Sequence, residues 1–216
     1  MMKIFKLPKE IKALIFDMDL TLYSNDEYGQ YQVDCLVEKL GNTMGRSFEE
    51  MNLEVKEARK KLAMSGNGRQ PSLANVLTSY GISMEEIVRW RNELFEPERY
   101  VGEDKKLKET LEKLSKFFVL GVVTNNPVLV ANKTFAALGI SGLFPIVIGL
   151  DTCMTSKPHR IQFEKFIELS GCEAETCVSI GDRYDIDLAI PMEMGMGGIL
   201  VDGVEDVYEL PLKVIM

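Results

Sequence analysis

The stretch IFDMDLTLY, residues 15–23, ends an apolar run on two aspartates separated by one methionine, then adds a threonine. Residues 13–16 are uniformly apolar rather than alternating, the pattern of a parallel strand buried on both faces. Asp17 closes that strand, and Asp19, two residues on, projects to the same side if the chain stays extended. In open α/β sheets, ligands bind outside the carboxyl ends of the strands. Adjacent carboxylates each make the other costlier to ionise. Either a hard divalent cation lets both ionise, or one stays protonated and serves as an acid. A strand-end aspartate that merely caps the next turn is the plainer alternative.

Working outward, flat apolar runs recur at 117–123, 145–150, 176–180 and 198–201. Helical patterns separate them. Leu107, Leu111 and Leu114 mark one; Phe163, Phe166 and Ile167 mark another, ended by Gly171; Asn126 and Pro127 read as the N-cap and first residue of a third. Strand and helix alternating in this way predict a doubly wound, Rossmann-like parallel α/β sheet. Residues 28–95 break the pattern with four amphipathic helices. Val33, Leu36, Val37 and Leu40 stop at Gly41, and Leu73, Val76, Leu77 and Tyr80 stop at Gly81. Capping boxes at Ser47/Glu50 and Ser83/Glu86 open the other two. The resulting bundle enters directly after the two aspartates and is placed to cover them. The domains expected are a core of 1–24 and 100–216 with a helical cap at 25–99.

The other strand ends carry chemistry too. Thr124-Asn125-Asn126-Pro127 sets a hydroxyl, a free backbone N–H and a helix N-terminus together, which is an anion cradle in physical terms, although Thr and Asn cap helices routinely. Ser156-Lys157-Pro158 puts a lysine just ahead of a helix. Gly181-Asp182-Arg183-Tyr184-Asp185-Ile186-Asp187 places three acids within six residues, which repel one another unless a cation joins them.

Bulk properties narrow the partners. A net charge of −8 with pI ≈ 4.9 argues against a nucleic-acid polymer as ligand. The cysteines Cys35, Cys153, Cys172 and Cys177 form no paired motif and read as small buried hydrophobes in a reducing compartment. No apolar run approaches the ~18 residues of a membrane span, and MMKIFKLPKEIK lacks a signal-peptide core. A cytoplasmic, membrane-free protein is expected.

Aspartates, then threonine, then lysine, then aspartates at successive strand ends resemble the four motifs of the haloacid dehalogenase superfamily. They match at Asp17 to Thr21, Thr124, Lys157, and Gly181 to Asp187, so the resemblance spans essentially the whole chain. The helical insertion resembles the small cap of the branch that holds phosphoglycolate-phosphatase-like and pyrimidine-nucleotidase-like members, and the stretches FDMDLTLY and GDRYDIDLAIPMEMGM look most like the latter kind. The resemblance implies a Mg2+-dependent phosphatase acting on a small phosphorylated metabolite, a nucleotide- or sugar-phosphate-like phosphomonoester. Asp17 would be the nucleophile, forming an aspartyl-phosphate, and Asp19 the general acid and base, with Thr21 helping to orient it. Thr124, the Asn125 N–H and Lys157 would bind phosphate. The metal would take the Asp17 side chain, the Asp19 backbone carbonyl and Asp182, with Asp187 supporting. Aspartate at position 19 favours phosphoryl chemistry, because the dehalogenases of the superfamily lack an acid there.

A phosphomutase on the same core and a phospho-accepting receiver domain are the competing readings; a receiver has no need of a helical cover. In the cap, the loop at 65–70 combines glycines with one cation, Arg69, expected to contact the leaving group. Tyr23 reads as a hinge aromatic, Trp90 as a packing residue and His159 as a solvent-facing helix start. Asp185 reads as either a surface residue or support for the metal.

Overall fold

The computed structural model describes residues 1–65 and 71–215, so the loop carrying Arg69 lies outside the described residues. Strand β1 (Lys3–Lys6) comes first, followed by β2 (Ala13–Phe16). Four helices intervene before the next strand: α1 (Asp26–Met44), α2 (Phe48–Ser65), α3 (Leu73–Ser79) and α4 (Met84–Leu94). Helix α5 (Lys105–Leu114) leads to β3 (Val119–Val123), α6 (Val128–Leu138), β4 (Ile146–Ile148), α7 (Leu150–Cys153) and α8 (Arg160–Ser170). Strand β5 (Cys177–Gly181) runs into a π-helical turn (Tyr184–Leu188) and α9 (Ala189–Glu193). Strand β6 (Gly197–Leu200), α10 (Val204–Tyr208) and α11 (Pro211–Val214) finish the chain.

One six-stranded sheet results, in the order β1-β6-β5-β2-β3-β4. Every pairing is parallel except β1 with β6, which is antiparallel. Strand β1 escapes the sequence pattern because its four residues are exposed and two are lysines, a composition suited to a sheet edge. The central β2 is buried throughout and sends alternate residues to opposite layers. Leu14 and Phe16 pack with α5, α6, α10 and α11; Ala13 and Ile15 pack with Phe163 and Phe166 of α8.

Helices α1–α4 gather around a second apolar cluster that includes Leu36, Val55, Leu77, Ile87 and Trp90. Val130 of α6 and Leu150 of α7 join that cluster, so the bundle is seated on the α/β layers. The Ser47 capping box closes in both directions, at 3.3 and 3.2 Å. The Ser83 box is half formed: Ser83 accepts from the Glu86 N–H, while the Glu86 carboxylate turns to Arg89 and Trp90. Helix α1 overruns the expected stop at Gly41 and ends on Gly45, at φ +68°. Gly41 serves close packing instead, since a Cβ there would sit 2.9 Å from the Arg46 carbonyl oxygen. Among the described residues, no helix is long and apolar enough to cross a membrane.

Candidate active site

Sheet register assembles the site. Phe16 lies opposite Val122 of β3 and Ile180 of β5, so three neighbouring strands end nearly level. The chain then leaves that edge through Asp17, Thr124 and Asp182. The Asp17 N–H still donates to the Ile180 carbonyl at 2.8 Å, and the Thr124 N–H to that of Ile148 at 2.9 Å. Beyond Asp17 the backbone turns sharply. Leu20 takes φ +58°, rare for a branched residue, and the Leu22 N–H donates to the Met18 carbonyl at 2.9 Å. That turn brings Tyr23 back beside Asp19.

Lys157 reaches the strand ends from the segment after β4. It is 2% exposed, and its Nζ donates to Asp17 Oδ1 at 2.6 Å and Asp187 Oδ1 at 2.7 Å. Burial works against its charge, but the two carboxylates outweigh burial and hold its pKa above the ordinary lysine value. The Asn125 side chain fixes the lysine backbone, accepting from the Lys157 N–H at 2.6 Å. Asp187 is held by the π-helical turn, where its Oδ2 accepts the Arg183 N–H at 3.0 Å and Ser179 Oγ donates to its carbonyl at 2.7 Å. Gly181 is required here: a Cβ would lie 2.4 Å from the Asp187 Cβ.

Asp17, Asp182 and Asp187 each offer an oxygen, and the three lie within 4.8 Å of one another. Burial first, then the Asp17 and Asp187 carboxylates, push Asp182 up to about 7. Three acids against one buried lysine leave a surplus of negative charge on hard oxygen donors, which suits a cation such as Mg2+.

Asp19 stands half-buried and turned toward α1 of the helical bundle. Its Oδ1 accepts from the Tyr23 hydroxyl and from Gln32 Nε2 at 2.9 Å, and its Oδ2 accepts from Asn126 Nδ2 at 2.8 Å. Burial, followed by Asp19 itself, raises the Tyr23 pKa, so the phenol stays a donor. Asn126 is fixed in turn by Arg91 Nη1 of α4, which donates to its Oδ1 at 2.7 Å. Asn126 is therefore no helix cap; Pro127 takes that position in α6. Thr21 does not orient Asp19 as expected, because its buried hydroxyl finds no partner among the described residues.

The structure thus brings Asp17, Lys157, Asp182 and Asp187 together, with Thr124 and Asn125 at the adjoining strand end and Asp19 beside them. A cleft of about 410 Å³ between these strand ends and α1 is lined by Asp17, Asp19, Asn125, Asp182 and Arg183. Gln32, Arg91, Asn126 and the Tyr23 hydroxyl are the residues sequence reasoning missed. Two of them left a signal. Gln32 shares a helical stripe with Leu36 and Leu40, and Arg91 follows Ile87 by one turn, so each puts a polar group in a core register. His159 caps α8, accepting from the Ile161 N–H at 3.2 Å, and Trp90 packs inside the bundle.

A family model described as haloacid dehalogenase-like hydrolase matches residues 14–201. The chain belongs to this family. Its sequence is 28% identical over 193 residues to the glyceraldehyde 3-phosphate phosphatase of Methanocaldococcus jannaschii, covering 86% of this chain and 82% of that one. It is 27% identical over 180 residues to the phosphoglycolate phosphatase of Aquifex aeolicus, covering 82% and 78%. Among solved structures, the HAD phosphatase of Thermococcus onnurineus aligns with a TM-score of 0.62 at 20% identity, covering 94% of this chain and 98% of that one. The haloacid dehalogenase-like chain is thus a hydrolase with the Rossmann-like fold of its family, and relatives of its sequence carry the names of phosphatases.

Proposed function

We propose that this hydrolase is a Mg2+-dependent phosphatase acting on a small phosphomonoester of the size of phosphoglycolate or glyceraldehyde 3-phosphate. The observation that carries the reading is Lys157 bridging Asp17 and Asp187 at 2.6 and 2.7 Å, beside three carboxylates whose oxygens lie within 4.8 Å. Residues 25–99 act as the cap over a catalytic core of 1–24 and 100–216.

Asp17 attacks phosphorus in line with the ester oxygen, forming an aspartyl-phosphate as the phosphorus–ester bond breaks. Thr124, the Asn125 N–H and Lys157 bind the phosphoryl oxygens and spread their charge. Asp19 gives up one of its three hydrogen bonds and protonates the leaving oxygen. It then takes a proton from the water that cleaves the phosphoenzyme, releasing phosphate and restoring Asp17. Asp17, the Asp19 carbonyl, Asp182 and Asp187 would hold Mg2+, directly or through water. Bound there, the ion supplies the charge neutralisation that lets a carboxylate approach a phosphate dianion.

A phosphate-release screen over phosphomonoesters, with Mg2+ or with EDTA, tests the reading. Activity with metal, loss with EDTA and loss in Asp17→Asn are expected. Hydrolysis retained in Asp17→Asn rules out the covalent route.

A further inference from the structure

A second cavity, of about 170 Å³, opens off the cleft between cap and core and shares Asp19, Asn125 and Arg183 with it. In a chain of net charge −8, Arg59 of α2 and Arg91 of α4 line it among the apolar Leu36, Leu73 and Phe95, and Arg183 stands exposed at the side shared with the cleft. Neither cap arginine is satisfied. The Nε of Arg59 and the Nε of Arg91 are both buried without a hydrogen-bond partner among the described residues. Arg91 is 6% exposed, and among the described residues its guanidinium donates only to Asn126. Among the described residues no carboxylate acts on Arg59; the charge it feels is Arg183, of the same sign.

A guanidinium whose Nε is buried with no bonded counter-ion is costly, and at Arg59 the like charge of Arg183 adds repulsion. A fold tolerates this arrangement where an anion arrives to relieve it, and the planar guanidinium fork suits a carboxylate or phosphoryl group. Asp19, at the near end of the cavity, is where the leaving oxygen sits in the proposed reaction. A group on the Arg59 and Arg91 side therefore belongs to the leaving part of the substrate, not to the transferred phosphate.

We infer that Arg59 and Arg91, with Arg183 at the mouth, form a second anion site that recognises a carboxylate or second phosphoryl group on the leaving part of the substrate. This inference rests on the phosphatase reading for its orientation, but not for its binding test. The site selects esters with an acidic leaving portion over neutral ones of equal length. Asp19 acts on Arg91 and the strand-end acids act on Arg183, so Arg59, which none of them reaches, carries the wall's surplus positive charge for such a group.

The test is calorimetric binding of 3-phosphonopropionate and propylphosphonate, equal in length and differing in the carboxylate, to the Mg2+-loaded protein and to Arg59→Gln. Ethylene-1,2-bisphosphonate serves as the second-phosphoryl arm. Wild type is expected to bind a doubly anionic ligand about 10-fold or more tighter than propylphosphonate, the scale of one charge-assisted hydrogen bond. Arg59→Gln is expected to remove most of that preference, and Arg59→Lys to keep part of it. Whichever doubly anionic ligand shows the preference identifies the group. In parallel, the ratio of kcat/KM for 2-phosphoglycolate over ethyl phosphate should fall about 10-fold in Arg59→Gln. Equal binding of all three ligands by wild type, or a preference that survives Arg59→Gln, overturns the inference. Discrimination in binding without hydrolysis of any ester would leave the anion site standing and refute the phosphatase reading instead.

Discussion

Mg2+ binding should track the ionisation of Asp182. Without metal, burial and the neighbouring Asp17 and Asp187 carboxylates push this group up to about 7, despite the opposing charges of Arg183 and Lys157. An aspartate in an unfolded chain titrates near 4. The folded, metal-free protein therefore holds a proton that the unfolded chain has lost, and its stability falls as pH rises from about 4 to about 7. A divalent ion needs the ionised carboxylate, so ion and proton compete for the same oxygens. With a pKa of about 7, roughly 3% of Asp182 is ionised at about pH 5.5 and roughly 90% at about pH 8. Apparent Mg2+ affinity should then rise about 30-fold across that window and level off above it. Near pH 6 each ion bound should expel about 0.9 proton, read by titration calorimetry in two buffers of different ionisation enthalpy. Asp182→Asn has no proton to lose at that position and should bind more weakly with a shallower profile, set by Asp187, whose carboxyl burial also raises. A wild-type affinity that moves less than about threefold between these pH values, with no proton released, refutes the reasoning.

The grip on Asp19 predicts a leaving-group effect. Gln32→Ala and Arg91→Met should each lower kcat on an alkyl phosphate about 10- to 100-fold, and much less on p-nitrophenyl phosphate, whose leaving group needs little protonation; equal losses on both esters would remove Asp19 positioning as the cause. Lys157→Met leaves Asp17 and Asp187 buried without their shared cation and should destabilise the EDTA-treated protein by about 3–5 kcal/mol, with Mg2+ restoring part of the loss; an unchanged Tm in EDTA would contradict this. Gly181→Ala forces a methyl to within 2.4 Å of the Asp187 Cβ and should cost about 1–3 kcal/mol in urea denaturation. A wild-type midpoint would show that the π-helical turn yields freely.

What the sequence disclosed divides along physical lines. Strands buried on both faces are written as flat apolar runs, so β2 to β6 were legible; β1, an exposed lysine-bearing edge, carries no such mark. Gathering Asp17, Lys157, Asp182 and Asp187 followed from strand ends that had to lie at one edge of a parallel sheet. The partners of Asp19 did not follow, because they come from α1, α4 and the end of β3 and meet only through the docking of cap on core. Asn126 shows the ambiguity plainly. Before a proline it reads as a cap, and nothing local reveals that its amide is committed to Asp19 and Arg91.

Charge is segregated along the cleft, and the segregation gives a substrate only one sensible orientation. Acids crowd the strand-end wall, where Asp17, Asp182 and Asp187 exceed the single cation of Lys157 and leave a place for a divalent ion. Guanidiniums stand on the wall formed by the helical bundle, where Arg59 and Arg91 have no carboxylate bonded to them among the described residues. A phosphate placed at the guanidinium end would lie away from the proposed nucleophile. Placed at the strand ends, it meets Asp17 and directs its ester oxygen toward Asp19. Gln32 and Arg91 reach Asp19, the latter through Asn126, from the same helices whose apolar faces close the bundle. A displacement of the cap would therefore loosen the acid and open the basic wall together, tying substrate admission to the protonation step through a few shared side chains.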